Sequence, residues 1–158
     1  MIKILLCAAT FSLTTVISVS VVYGNPVTDA GKVPHIVSSV QFPQSKWRIV
    51  RHTFLLQIPQ DSRALSHLSI EVPAGLTVSN NIRVSDQSGK NIDTNISVNG
   101  SKAIVGFPES VAPGTRLNIA MKDVKILGRT NAWLYRVSTR LVGLNADIPV
   151  GIARFRVY

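Results

Sequence analysis

The chain has 158 residues, 46% of them apolar and 16% charged, which allows one buried core and a targeting segment but excludes two independent domains. A single cysteine excludes a disulfide framework, and a formal net charge of +9 directs attention to anionic partners.

Lys3 is the only charge before Asp29, and positions 4–22 form an uncharged apolar run diluted by Ser and Thr. Val22 and Gly24 then place small residues just before the turn-forming Asn25-Pro26. This pattern predicts a secretory signal peptide over 1–24, cleaved after Gly24. The alternative is an uncleaved anchor, because a run of about 19 apolar residues can cross a bilayer. No twin arginine precedes the run, so the general secretory route is expected. Cys7 follows Leu6 where lipoprotein processing needs a small residue, so it reads as part of the apolar run. Cleavage would leave a cysteine-free, exported chain (periplasm, envelope or medium) with sixteen basic and eight acidic residues, a balance of +8. A basic surface also serves solubility alone.

Positions 25–34 carry Pro, Gly, Asp and Thr without apolar periodicity and read as a flexible leader to a domain over 35–158. Within 48–59, Val50, Phe54, Leu56 and Ile58 share one face of a strand. Positions 61–67 offer the only candidate helix, one or two turns long. Leu68, Ile70 and Val72 alternate with polar residues up to the Pro73-Ala74-Gly75 turn, and a short strand is expected at 82–84. Positions 91–107 read as a hairpin turning at Asn99-Gly100, with Ile92, Thr94, Ile96 and Val98 on one strand and Ala103, Val105 and Phe107 on the next. Leu117, Ile119 and Met121 mark another strand. Trp133, Tyr135, Val137 and Leu141 lie on the inner parity of a long one, and Ala153, Phe155 and Val157 on that of the last. Seven to nine strands with turn signals every ~8 to 12 residues predict an all-β, antiparallel two-sheet sandwich of immunoglobulin-like type.

Val111-Ala112-Pro113-Gly114-Thr115, the run Trp133-Leu134-Tyr135-Arg136-Val137 and the ending Gly151-Ile152-Ala153-Arg154-Phe155-Arg156-Val157-Tyr158 resemble a family of cyanobacterial exported proteins known only as a domain of unknown function. The likeness covers most of the chain beyond Gly24 and is strongest in the C-terminal half. It implies a signal peptide and a single domain, and it carries over no functional residues.

No phosphate loop or dinucleotide fingerprint is present, since Gly89-Lys90 lacks the surrounding glycine and hydroxyl residues. His35, His52 and His67 have no Glu or second His at ligand spacing, and His52 falls on an apolar parity where a hydrogen-bonded core histidine is expected. The segment 86–93 brackets Gly89 with Asp86 and Asp93 like a calcium loop, but Lys90 stands among the ligands and no Glu closes the site, so a turn at Ser88-Gly89 is expected. The sequons at Asn95 and Asn99 read as accidental in a bacterial protein. No cofactor or metal is expected, and no catalytic motif is found.

Arg136 and Arg140 share one strand face, and Arg154 and Arg156 share another. A hairpin pairing Val142 with Val150 would set Arg136 opposite Arg156 and Ser138 opposite Arg154, gathering four guanidiniums on one exposed sheet face. These four are the candidate anion-binding residues, because guanidinium forks match carboxylate, sulfate and phosphate groups. Solvated charges on an outer sheet face are the plain alternative. Trp47 is the one aromatic expected at the surface.

The function expected from these features is non-enzymatic. It is an exported envelope protein binding anionic polysaccharide or lipid headgroups through its basic face, with nucleic acid last among polyanions. The alternatives are a protein-interaction or assembly module using an edge strand, and a hydrolase with a loop-built site joining His67 to a carboxylate and a serine.

Overall fold

The computed structural model describes residues 32–158. The expected signal peptide (1–24), with Cys7, and the expected leader as far as position 31 lie outside the described residues. The elements are β1 (His35–Phe42), β2 (Ile49–Gln57), β3 (Leu65–Glu71), β4 (Leu76–Thr77), β5 (Ile82–Ser85), β6 (Asn95–Asn99), β7 (Lys102–Val111), β8 (Arg116–Ile126), β9 (Ala132–Leu141) and β10 (Ile148–Arg156). One sheet, A, runs β1-β2-β8-β4 with β5 also on β8; the other, B, runs β10-β9-β3-β7-β6, and every pairing is antiparallel. The described residues thus form an all-β, immunoglobulin-like sandwich.

Period-two patterning builds its interior. Phe54, Leu56, Leu117, Ile119 and Met121 from sheet A meet Leu68, Ile70, Val105, Tyr135, Val137 and Phe155 from sheet B, all buried. Each large apolar side chain withdrawn from water in this way contributes about 1.5–3 kcal/mol before entropy is counted.

The structure corrects the expected strand list in several places. Among the described residues there are ten strands rather than seven to nine, two-residue β4 included. The candidate helix at 61–67 is a turn, closed by the Ser62 amide on the Pro59 carbonyl, followed by the start of β3. Leu65 is claimed on both sides, by Val111 of β7 and Leu141 of β9, so ladder pairing decides the conformation of this short segment. The expected strand at 91–98 is split: the Ile92 amide bonds the Val84 carbonyl in sheet A, while Asn95–Asn99 joins sheet B, so the chain crosses between sheets here. The hairpin of β6 and β7 is present, closed by the pair Asn99 and Lys102. Gly100, at φ +56°, sits at its first loop position, a conformation glycine adopts without a Cβ penalty.

Candidate functional site

β9 and β10 place Arg136, Arg140, Arg154 and Arg156 on the outward side of sheet B, because their inward neighbours Trp133, Tyr135, Ala153 and Phe155 fill the core. The register differs from the one expected. Ile152, not Arg156, faces Arg136; Leu134, not Ser138, faces Arg154; and Ala132 faces Arg156. The shift originates at the hairpin end, where Thr139 pairs Ile148 and the ladder slips between Pro149 and Gly151. Pro149 has no N–H for the ladder, and Gly151 at φ +132° takes a conformation that residues with a Cβ rarely adopt.

This register removes the direct opposition of like charges. Leu134 (48% exposed) and Ile152 (55% exposed) interleave with the guanidiniums, giving a mixed apolar and cationic stripe. Two of the four arginines have acidic neighbours. Arg140 Nη2 lies 2.8 Å from Asp147 Oδ1, and its Nε donates to the same oxygen at 2.9 Å. Arg136 faces Glu71 of the neighbouring β3, with Nη1 3.9 Å from the carboxylate and the side chain 80% exposed, a contact of little energetic weight. Arg154 and Arg156 form no ion pair among the described residues.

Beneath this face a buried polar chain joins the sheets. His52 of β2 has no solvent exposure and sits between Gln41 Oε1 (2.9 Å from Nε2) and the Tyr135 hydroxyl (2.7 Å from Nδ1). Gln41 Nε2 donates to the carbonyls of Pro43 and Ser45, which turns its Oε1 towards His52. His52 Nε2–H therefore donates to Gln41, and Nδ1 accepts the Tyr135 proton, which is the neutral tautomer. Its ring also stacks on Phe155, with centroids 4.3 Å apart. Burial lowers the His52 pKa to about 4 and raises the Tyr135 phenol well above its ordinary value. The sequence expectation of a core histidine is met, and its partners come from strands remote in the chain.

The other candidates do not assemble into sites. His67 Nδ1 lies 3.1 Å from Ser66 Oγ, but that hydroxyl donates to the Arg140 carbonyl, and the shallow hollow beside His67 is lined by Asn95, Ile104, Gly106, Phe107 and Pro108, without a carboxylate. Asp86 Oδ1 accepts from the Ser88 hydroxyl and from the Ser88 and Lys90 amides. The Ser88 hydrogen bond leads in holding this carboxyl below its usual range. The carboxylate thus closes the hairpin turn at Ser88-Gly89. Among the described residues no group of three or more His, Cys, Asp or Glu side chains could hold a metal ion.

No protein-family model matches the chain, and no curated protein does. Among solved structures it is similar to the N-terminal domain of a Streptococcus gordonii adhesin (11% identity, TM-score 0.52, 79% of this chain and 32% of that one). It is similar also to the major pilin subunit of Bacillus cereus (9% identity, TM-score 0.53, 79% of this chain and 40% of that one). The chain therefore spans about a third and two fifths of these two proteins, and the likeness is one of fold.

Proposed function

We propose that this chain is an exported, non-enzymatic binding module that holds an anionic partner, acidic polysaccharide or anionic lipid headgroups, on the outer face of sheet B. The observation that carries the reading is the pair Arg154 and Arg156, projecting from one side of β10 with no ion-paired carboxylate among the described residues and with neutral residues opposite. Arg136 and Arg140 extend the same face, partly screened by Glu71 and Asp147. That this sandwich serves in an adhesin and a pilin supports binding or assembly over catalysis. Export rests on the signal pattern of 1–24, and N-terminal sequencing of protein recovered from the envelope or medium should start at Asn25; an intact Met1 would favour the anchor.

The test is retention on an immobilised acidic polysaccharide, run beside sedimentation with phosphatidylglycerol vesicles to separate the two sources of negative charge. Binding should weaken markedly as the Debye length falls from about 30 Å to about 8 Å between low and physiological salt. Replacing Arg154 and Arg156 by Gln should reduce it more than replacing Arg83 and Lys90, which lie on exposed positions elsewhere. Equal losses would mean that net charge alone acts, and no loss would remove the face from consideration.

A further inference from the structure

Both tryptophans of the chain stand at one end of the sandwich, lining an open cleft of about 990 Å³ between the segment before β2, the segment between β8 and β9, and Val157. This is the upper end of the roughly 300–1,000 Å³ range of ligand-binding clefts. Lys46, Arg48 and Arg129 line it, and among the described residues no Asp or Glu does. None of these three cations forms an ion pair among the described residues. Trp47, 64% exposed, lies between Lys46 and Arg48 in sequence, and Trp133 is buried with its indole Nε1 lacking an acceptor.

The cleft is held open by the backbone. The Ile126 amide donates to the Arg48 carbonyl at 2.8 Å, the Val157 amide to Asn131 at 3.0 Å and the Tyr158 amide to Gln44 at 3.2 Å, so three segments remote in sequence are tied to one another. The Leu127 and Gly128 amides both donate to the Gly75 carbonyl. A Cβ on Gly75, which has φ +90°, would come 3.2 Å from Gly128 Cα and 3.3 Å from the Trp133 ring. Glycine at both positions lets this corner close on the indole. The side chains of the cleft are thus carried on fixed main chain, which lowers the ordering cost of binding.

We propose that this cleft binds an acidic saccharide, a pyranose ring lying on the Trp47 indole while carboxylate or sulfate groups meet Lys46, Arg48 and Arg129. The inference rests on the reading that the partner is anionic, and it names both the chemical class and a second place of contact. An open cleft lined by three cations and no acid selects negative charge. Guanidinium forks fit carboxylate and sulfate. An exposed indole adds what a phosphate chain cannot use, a flat apolar surface for the C–H face of a sugar.

Because Trp47 and Trp133 are the only tryptophans, intrinsic fluorescence reports on the cleft directly. The purified protein should show a saturable change in emission with an oligogalacturonate and none with a neutral maltooligosaccharide of equal length, with calorimetry giving the affinities. Trp47→Ala and the double variant Arg48→Gln/Arg129→Gln should each weaken oligogalacturonate binding by about tenfold or more. Inorganic polyphosphate should lose affinity with the arginine variant but be affected less than about twofold by Trp47→Ala. Unchanged emission with oligogalacturonate, equal binding of the neutral sugar, or equal effects of Trp47→Ala on both anions would overturn the proposal. The variant Arg154→Gln/Arg156→Gln separates it from the sheet-face reading. If that variant abolishes the titration while the cleft variants bind normally, the cleft fails and the face stands. If it titrates and is retained normally while the cleft variants lose both, the face fails and the cleft stands.

Discussion

The outer face of sheet B and the cleft at the end of the sandwich both gather cations, but they are assembled differently. On the face, strand periodicity sets the arginines at alternate positions of β9 and β10, and Glu71 and Asp147 lie beside two of them. In the cleft, Lys46 and Arg48 come from the connection before β2 and Arg129 from the one after β8; they stand beside an exposed indole, with no acid lining the cleft among the described residues. A regular sheet surface tolerates charge by interleaving it with neutral or opposite residues, because cross-strand neighbours lie close enough to repel. Loops at a sandwich end carry no such constraint and can concentrate one sign of charge.

The largest expected effect breaks the cleft and spares the face. Trp133 packs against Gly75 and Gly128 and is nearly fully buried, so Trp133→Ala should cost about 3–5 kcal/mol in urea unfolding. The folded fraction should lose the oligogalacturonate response while remaining on the polysaccharide column. Retention lost in proportion to that response would mean that the cleft, and not the face, holds the polysaccharide.

A somewhat smaller effect comes from pH. The folded-state pKa of His52, about 4, lies below its ordinary 6.5, so as pH falls the unfolded chain takes up this proton first. Stability from this group is complete above pH 6.5, declines towards pH 4 and is constant below that, a loss of up to about 3 kcal/mol. Urea midpoints measured between pH 7 and pH 4 should follow that course, and His52→Gln should flatten it. A slope unchanged in the variant would assign the titration to other groups.

Tyr135→Phe removes the proton that His52 Nδ1 accepts and leaves a buried acceptor unpaired, at about 1–3 kcal/mol. Gln41 links this chain to the carbonyls of Pro43 and Ser45, which precede Trp47, so loosening should appear at the cleft end rather than on the sheet face. Amide exchange of residues 43–48 compared with that of β10 would read the difference.

The smallest change in stability, within about 1 kcal/mol, is expected from Glu71→Gln combined with Asp147→Asn, since both carboxylates are in contacts at least partly open to solvent. Unmasking Arg136 and Arg140 should raise retention on the polysaccharide and leave the tryptophan titration unaltered. Unchanged retention would place the column-binding surface elsewhere.

Inner and outer residues were legible wherever apolar alternation was clean, as at Phe54, Leu56, Leu68, Ile70, Tyr135 and Phe155, because a strand with one buried face must repeat every second residue. β1 escaped that reading: a register shift between Ile36 and Ser38 changes its parity, and the position it then buries is Gln41, a polar residue satisfied by His52. The outward side of the four arginines was legible from their neighbours. Their cross-strand partners depended on the irregularity around Pro149 and Gly151, where the backbone departs from the regular ladder. Local sequence determined the class of fold, the core strands and the parity of side chains on the regular strands only because short-range periodicity encodes burial; the meeting of Trp47, Arg129 and Trp133 was decided by tertiary structure, since nothing local relates a turn before β2 to one after β8 until the sheets close and hydrogen bonds tie their ends together.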